Sequence, residues 1–417
     1  MNDYPKAESQ LAAYRTLDLT DEKGLFCGKI LADLGADVVK IEPAGGDPAR
    51  NVGPFHRDIP HPEASLFWLG YNANKRGITL NLETRDGQQI FKRLASSADF
   101  IIESFPPGYM DKLGLGYPVL SEINPRIVMT SITPFGQAGP YKDYVASDIT
   151  EMAMGGLMYI CGDADRPPVR ISADQAYLHG AAQAAIGTLI AHWYREKTGE
   201  GQYVDVSIQE SVIWTLMYTI PYWDFAKRLF TRSGNRQTRF DVVYRLIYPC
   251  KDGHVCYRLG TGPGLGPMQA RLVKAMDSKG MAEGLKEVNW TELSFDRVPQ
   301  SDINCWEESM SRYFLKHSKM ELLEEAAKRD YMLFPVFSIK EILEYPQLAA
   351  RRFWSEVEHT ELDTVIMYPG ALFKSNAAQP GIACRAPLIG EHNEEIYDME
   401  LGLSNQELDV LKQAMII

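Results

Sequence analysis

The sequence predicts an α/β protein built on a parallel sheet, with a smaller α+β domain set into its middle. Three observations carry this. Strand-like and helix-like segments alternate from residue 14 to residue 136. The strand segments are almost continuously apolar, as strands covered on both faces are. Between 228 and 330 the alternation gives way to a hairpin signal and amphipathic helices.

In order, "YRTLDL" reads as a strand and "GLFCGKILADLG" as a helix closed by Gly35, with Leu25, Ile30, Leu31 and Leu34 near helical spacing. "ADVVKIEP" is a strand stopped by Pro43. The pattern repeats in "GITLNL", "RDGQQIFKRLASS" and "ADFIIESF", then the turn "PPG", the helix "YPVLSEINP" and the strand "RIVMTSITPFG". Parallel pairing of these strands calls for right-handed crossovers. An Ala/Gly-rich helical region is expected over 148–194, followed by the turn "KTGEG" and the strand "QYVDVSI". One long helix from about Gln209 would carry Trp214, Tyr218 and Trp223. "VVYRLIYPC", the turn at Asp252-Gly253 and "HVCYRL" form a hairpin, with helices in "MQARLVKAM" and "ESMSRYFLKHSKMELLEEAAKRD". The chain returns through "VFSIKEILEYPQLAARRFW", short strands near 354–374 and the helix "NQELDVLKQAM". The expected division is a large α/β domain over 1–227, a small domain over 228–330, and a linker returning to the large domain over 331–417.

A length of 417 residues fits two domains. A formal net charge of −12 argues against general affinity for nucleic acid or anionic membranes, while leaving room for an anionic ligand held by local cations. No apolar run reaches a membrane span, and "MNDYPKAESQ" lacks a secretory pattern. The six cysteines are scattered with no C-x-x-C pair, which points to thiols in the cytoplasm. The eight histidines show no metal spacing, and Glu391-His392 reads as a polar turn.

Three stretches are candidates for chemistry. In "RLGTGPGLGP" the glycines at 260, 262, 264 and 266 do not form a dinucleotide fingerprint. Gly260, Gly262 and Gly264 could make a mobile loop over a ligand or a plain turn. "NANKRG" offers amides and cations to phosphate, or is a solvated turn. In "RPPVRISADQAYLHGAAQAAIGTLIAHW", Asp174 is a nucleophile candidate. Ser172 and Gln175, three apart, would equally make a capping box with Asp174 in the first helical turn. The small residues that follow, from Gly180 to Ala191, predict a closely packed, precisely placed helix.

Several stretches together resemble the family III CoA-transferases, the formyl-CoA transferase and carnitine CoA-transferase type. They are "LADLGADVVKIEPAGGDPAR", "NANKRGITLNL", "GYMDKLGLGY", "INPRIVMTSITPFGQAGPY", "REKTGEGQYVDVSIQES" and "RAPLIGEHNEEI", spread over residues 16 to 406. The resemblance implies a Rossmann-like large domain made from both chain ends, a smaller middle domain, and two chains threaded as interlocked rings. It implies no permanently bound cofactor, with a coenzyme A thioester as substrate. In such enzymes an Asp attacks the donor thioester, giving a mixed anhydride and then an aspartyl-CoA thioester that the acceptor acid resolves. Backbone amides and a glycine loop would stabilise the oxyanions.

Carried over residue by residue, the CoA contacts are Asn74, Lys75, Phe105 and Lys112. Two positions depart from the family pattern: Ser104 stands where an Asn precedes the Phe, and "TDEKGL" replaces a loop one residue longer. The nucleophile departs as well. The family Asp comes nine residues after a Pro-Pro and ten before a Gly, and both counts, from Pro168 and from Gly187, reach Tyr177. Asp174 lies three residues early, nearly one helical turn. Either a local shift brings Asp174 into place in a self-sufficient homodimer, or this chain is the non-catalytic subunit of a heteromer whose homologous partner carries the Asp. "LDLTDEKGLFCGKILADLGADVVKIEP" and "ADQAYLHGAAQAA" look like a subunit of the two-subunit, benzylsuccinate-type branch of the family, known from anaerobic toluene breakdown. The resemblance implies succinyl-CoA as donor and an aromatic or dicarboxylic acid as acceptor, a use for "WTLMYTIPYW" unless that cluster is packed core. Racemisation of acyl-CoA is disfavoured, since no Asp/His proton-transfer pair is evident. A purely structural partner of an active subunit is the reading outside catalysis.

Overall fold

A computed structural model of the chain describes residues 9–417. These fall into two compact units. The first comprises the chain up to Leu157, Arg170–Lys227 and Gln347–Ile417. The second comprises Met158–Val169 and Arg228–Pro346.

The first unit is built on strands β1 (Arg15–Leu19), β2 (Asp37–Glu42), β3 (Lys75–Thr79), β4 (Phe100–Glu103), β5 (Val128–Thr133) and β6 (Tyr203–Ser207). All pair in parallel, in the order β3-β2-β1-β4-β5-β6. The order reverses at β1, which opens a crevice beyond the carboxyl ends of β1 and β4. The helices are α1 (Leu25–Asp33), α2 (Leu66–Asn72), α3 (Arg85–Ala95), α4 (Tyr109–Lys112), α5 (Tyr117–Ile123), α6 (Asp148–Met154), α7 (Ala176–Thr198), α8 (Ile208–Trp214) and α9 (Thr219–Ala226).

Alternation along the strands sends Leu17, Val39, Ile78, Ile101 and Met129 into one core with Ile90, Phe91 and Leu94 of α3. Phe100 and Val128 face the other way, onto Ala191 of α7. There the Thr130 and Thr188 hydroxyls pair at 2.7 Å in full burial. Gly180 shows why α7 is rich in small residues: a Cβ there would lie 2.8 Å from Ile208 Cγ1. The start of α3 is fixed by Thr84, whose side chain accepts from the Gly87 amide, and by Asp86 in the first turn.

Two expectations for residues 148–226 need correction. Residues 148–194 are not one helical region: α6 stops at Gly155, and α7 begins only at Ala176. Gly156 and Gly162 at φ 82° and 109°, together with Pro167-Pro168, forbid a continuous helix between them. The helix expected from Gln209 is two helices, α8 and α9. Pro221 lies in the first turn of α9, where its missing N–H costs nothing; inside a longer helix it would clash with the preceding turn.

In the second unit β7 (Arg236–Arg239) pairs antiparallel with β8 (Val242–Arg245). The predicted Asp252-Gly253 hairpin is present as β9 (Ile247–Cys250) and β10 (Gly253–Tyr257), joined by β11 (Leu333–Pro335). The stretch "VVYRLIYPC" is therefore two strands with different partners. Helices α10 (Gly262–Asp277), α11 (Gln300–Phe314), α12 (Lys319–Arg329) and α13 (Ile339–Leu343) complete it. The single helix expected up to Asp330 is divided at Ser318, which forms a capping box with Glu321. Tyr244, Tyr248, Tyr257, Trp290, Trp306 and Phe314 fill the core.

The chain returns through α14 (Pro346–Ala350), the hairpin of β12 (Trp354–His359) and β13 (Thr364–Pro369), and α15 (Asn405–Gln413). Residues 387–397 close over the outer edge of β3. The Gly77 amide donates to His392 Nδ1 at 3.1 Å, and Thr79 N donates to Asn393 Oδ1 at 2.9 Å. Tyr397 donates to the Thr79 carbonyl at 2.6 Å. Glu391 pairs with Arg385, so the Glu391-His392 turn is held by protein groups. Among the described residues no cluster of His, Cys, Asp or Glu could hold a metal ion, and no helix is long and apolar enough to cross a membrane.

Candidate active site

The start of α7 decides the roles of Asp174 and Tyr177. Gln175 is the N-cap residue and makes no side-chain capping bond, so the Ser172–Gln175 capping box does not form. Asp148, the first residue of α6, takes its place: its carboxylate accepts from the Tyr177 amide at 3.0 Å. A carboxylate from another helix thus satisfies an amide that the helix itself cannot. Asp174 lies outside α7 and is exposed. Partial burial and then the Asp148 charge hold its carboxyl above the usual range, against Arg170.

Tyr177, by contrast, is only 8% exposed. It shares a small cavity with Asp174, Glu22, Phe26, Phe67 and Tyr71. Burial, then the carboxylates of Glu22, Asp21 and Asp148, push its phenol far above the ordinary range. Burial also raises Glu22, with Asp21 adding to it. The position is therefore a protonated phenol in an acidic, aromatic-walled recess.

The other expected residues fall into two groups. Lys75 is fully enclosed: its ammonium donates to Asp18 at 2.8 Å and to the Leu25 carbonyl and Asn72 Oδ1 at 3.0 Å. To reach a phosphate its ammonium would have to abandon a buried ion pair; in this arrangement it holds α1 and β1 against β3. Asn74, at φ 68°, donates to Asp33 and the Gly381 carbonyl, both at 2.7 Å, and accepts from the Ala383 amide at 2.7 Å. Its amide is spent on the returning chain. Phe105 follows β4, and Lys112 closes α4. Phe105 is half-buried, its ring 4.8 Å from that of Tyr109, and Lys112 is exposed at the end of α4. In the second unit Gly260 precedes α10, Gly262 opens it and Gly264 lies in its first turn. These glycines start a helix rather than forming an open flap, since Pro263 at the helix start pre-sets its φ.

Sequence reasoning missed three features of the crevice. The two departures from the family pattern touch: Ser104 Oγ donates to Asp21 Oδ1 at 2.7 Å and accepts from the Asp21 amide at 2.8 Å. Tyr109 bridges the ends of β3 and β4 through Glu83 at 3.2 Å. Glu103 is 3% exposed, and burial pushes its carboxyl up to about 7 against hydrogen bonds from Ser131 and the Phe105 amide. A carboxylate closing β4 just before the turn was the available signal.

Residues 11–393 match CoA-transferase family III. The chain is 36% identical over 400 residues to succinyl-CoA:(R)-benzylsuccinate CoA-transferase subunit BbsE of Thauera aromatica, covering 95% of this chain and 96% of that one. It is 31% identical to succinyl-CoA–D-citramalate CoA-transferase of Chloroflexus aurantiacus over 94% of each chain. At 30% identity it is similar to the succinyl-CoA–L-malate CoA-transferase beta subunit of the same organism, over 98% of each chain. The fold matches a CAIB/BAIF family protein from Brucella suis with a TM-score of 0.80 and 25% identity, over 94% of this chain and 99% of that one. With the parallel six-stranded sheet and near-complete coverage in hand, the chain belongs to CoA-transferase family III, whose members take acyl-CoA and carboxylic acids as substrates and hold no resident cofactor.

Proposed function

We propose that this chain is the subunit of a heteromeric CoA-transferase that does not itself become acylated, a homologous partner supplying the nucleophilic carboxylate. The observation that carries this reading is Tyr177, buried inside the first turn of α7 with its amide held by Asp148, while Asp174 stays outside the helix. A carboxylate has an acyl carbon of its own, onto which CoA passes once the mixed anhydride forms. A phenol has none, so Tyr177 offers no route to an enzyme–CoA thioester, and its raised pKa keeps it a poor nucleophile.

The assembly is two chains threaded as interlocked rings. The exposed Trp214, Tyr218, Trp223 and Phe225 of α8, α9 and the turn between them fit a face that another chain covers. Succinyl-CoA is the donor and benzylsuccinate the acceptor, a reading supported by similarity to a relative named for that pair. One observation favours a second reading, a homodimer using Asp174: that carboxyl is accessible and lines the same cavity as Tyr177.

The test is to incubate the purified chain, alone and with its co-purifying partner, with succinyl-CoA and hydroxylamine, and to locate the hydroxamate by mass spectrometry. Capture on the partner alone is expected. Capture at Asp174 of the lone chain would establish the homodimer instead. Transfer activity unaffected by every substitution lining the Tyr177 recess would reduce this chain to a structural role.

A further inference from the structure

Within the second unit a groove of about 710 Å³ runs between the β7–β8 ribbon and α11. That volume is within the range of small-molecule sites. Arg236 and Arg245 are register partners across the ribbon, and like charges so placed repel. Glu307 of α11, which is buried, answers part of this. One of its carboxyl oxygens accepts from Arg236 Nη1 at 3.2 Å, and the other accepts from the Arg245 amide rather than its guanidinium. Glu308, the other carboxylate lining the groove, faces Arg312 at 3.9 Å. The charge left over is that of Arg245. Its guanidinium lies 5.5 Å from the centre of the Tyr248 ring and donates from Nη1 to Ser311 Oγ at 3.3 Å, while Nε has no partner among the described residues. The uncharged lining adds donors more than acceptors. Asn304 spends its carbonyl oxygen on Gln300, at 2.9 Å, so what it can add is N–H groups. Ser311 accepts from Arg245 and keeps its own proton, whereas Ser301 gives its proton to Asp302 at 3.3 Å. Cys305 is a free thiol.

We infer that this groove binds an oxyanion, the carboxylate or phosphoryl group of a small ligand, held by the Arg245 guanidinium with Arg236 and the Ser311 hydroxyl beside it. A guanidinium presents parallel N–H donors that match either group. The bound anion supplies the countercharge that Glu307 alone does not give the arginine pair. The inference is independent of which chain carries the nucleophile, because every residue it uses lies in the second unit.

The test is isothermal titration of the assembled protein with sodium phosphate and, separately, with sodium benzoate, at matched ionic strength and with sodium chloride as the blank. Saturable binding of at least one is expected, and the tighter of the two identifies the oxyanion. Arg245→Gln, which removes the charge, should lower that affinity at least about tenfold. Ser311→Asp sets a tethered carboxylate against Arg245 and should lower it by a similar factor, at least about tenfold. Both variants are checked by circular dichroism. Should Arg245→Gln fail to fold, Ser311→Asp decides, since it leaves the arginine pair and Glu307 in place. Heats no different from the chloride blank for both anions, or unchanged affinity in a folded variant of either kind, would overturn the proposal.

Discussion

At Lys75 a charge read as a ligand contact is a buried structural cation. Its ammonium and the Asp18 carboxylate are both fully buried, 2.8 Å apart. Removing one member leaves the other charge uncompensated, so Lys75→Ala is expected to cost about 3–5 kcal/mol in urea unfolding. Glu151 of α6 is also fully buried, and neither of its carboxyl oxygens has a hydrogen-bond partner. Burial, with Asp148 second, pushes it up to about 7. In the unfolded chain the same carboxyl ionises in the ordinary range, so the folded state holds the extra proton. The stability it contributes is complete below that range and is lost as pH rises through about 7. Glu151→Gln should therefore raise the Tm at about pH 8 while leaving it close to the parent below about pH 4. A parallel pH dependence in both proteins would show that another group is responsible.

At the scale of elements, the start of α7 turns on which side chain satisfies its first amides, Asp148 or the Ser172 expected from the sequence. If Asp148 is the cap, Asp148→Ala should lower stability by about 1 kcal/mol, whereas Ser172→Ala should change nothing measurable. Equal losses in thermal unfolding would restore the Ser172 capping box. The same helix shows what was legible beforehand. Its small-residue face and the turn after it follow from local composition, and so do β1, β2 and α1, because apolar periodicity is itself local. The break after Gly155, the division at Pro221 and the splitting of "VVYRLIYPC" turn on single Gly and Pro positions and on short hairpins, which apolar periodicity does not register. The site divides similarly. Counting from Pro168 and Gly187 reached Tyr177, but no spacing rule could show that Asp148 would hold it, or that Asp21 would meet Ser104 across 83 positions.

For the whole molecule, exposed apolar residues mark what a single chain leaves uncovered. Phe225 is 90% exposed and Trp214 60%, on adjacent short helices. If the proposed assembly uses this face, Phe225→Glu is expected to weaken it, read as a lower mass in light scattering with unchanged far-UV circular dichroism. An unaltered mass would move the interface elsewhere.

The closure of residues 387–397 over β3 also sets an order of events during synthesis. Arg50 Nη2 bonds the Pro387 carbonyl 337 positions away, and Tyr397 reaches Thr79 across 318. While the ribosome is still building the middle of the chain, the edge of β3 stands open and Arg50 lacks one of its acceptors. A nascent chain in this condition is a loop waiting to be shut. If a partner threads through it, the threading must precede the arrival of those last strands of contact, which makes co-translational encounter, rather than collision of finished subunits, the natural moment of assembly.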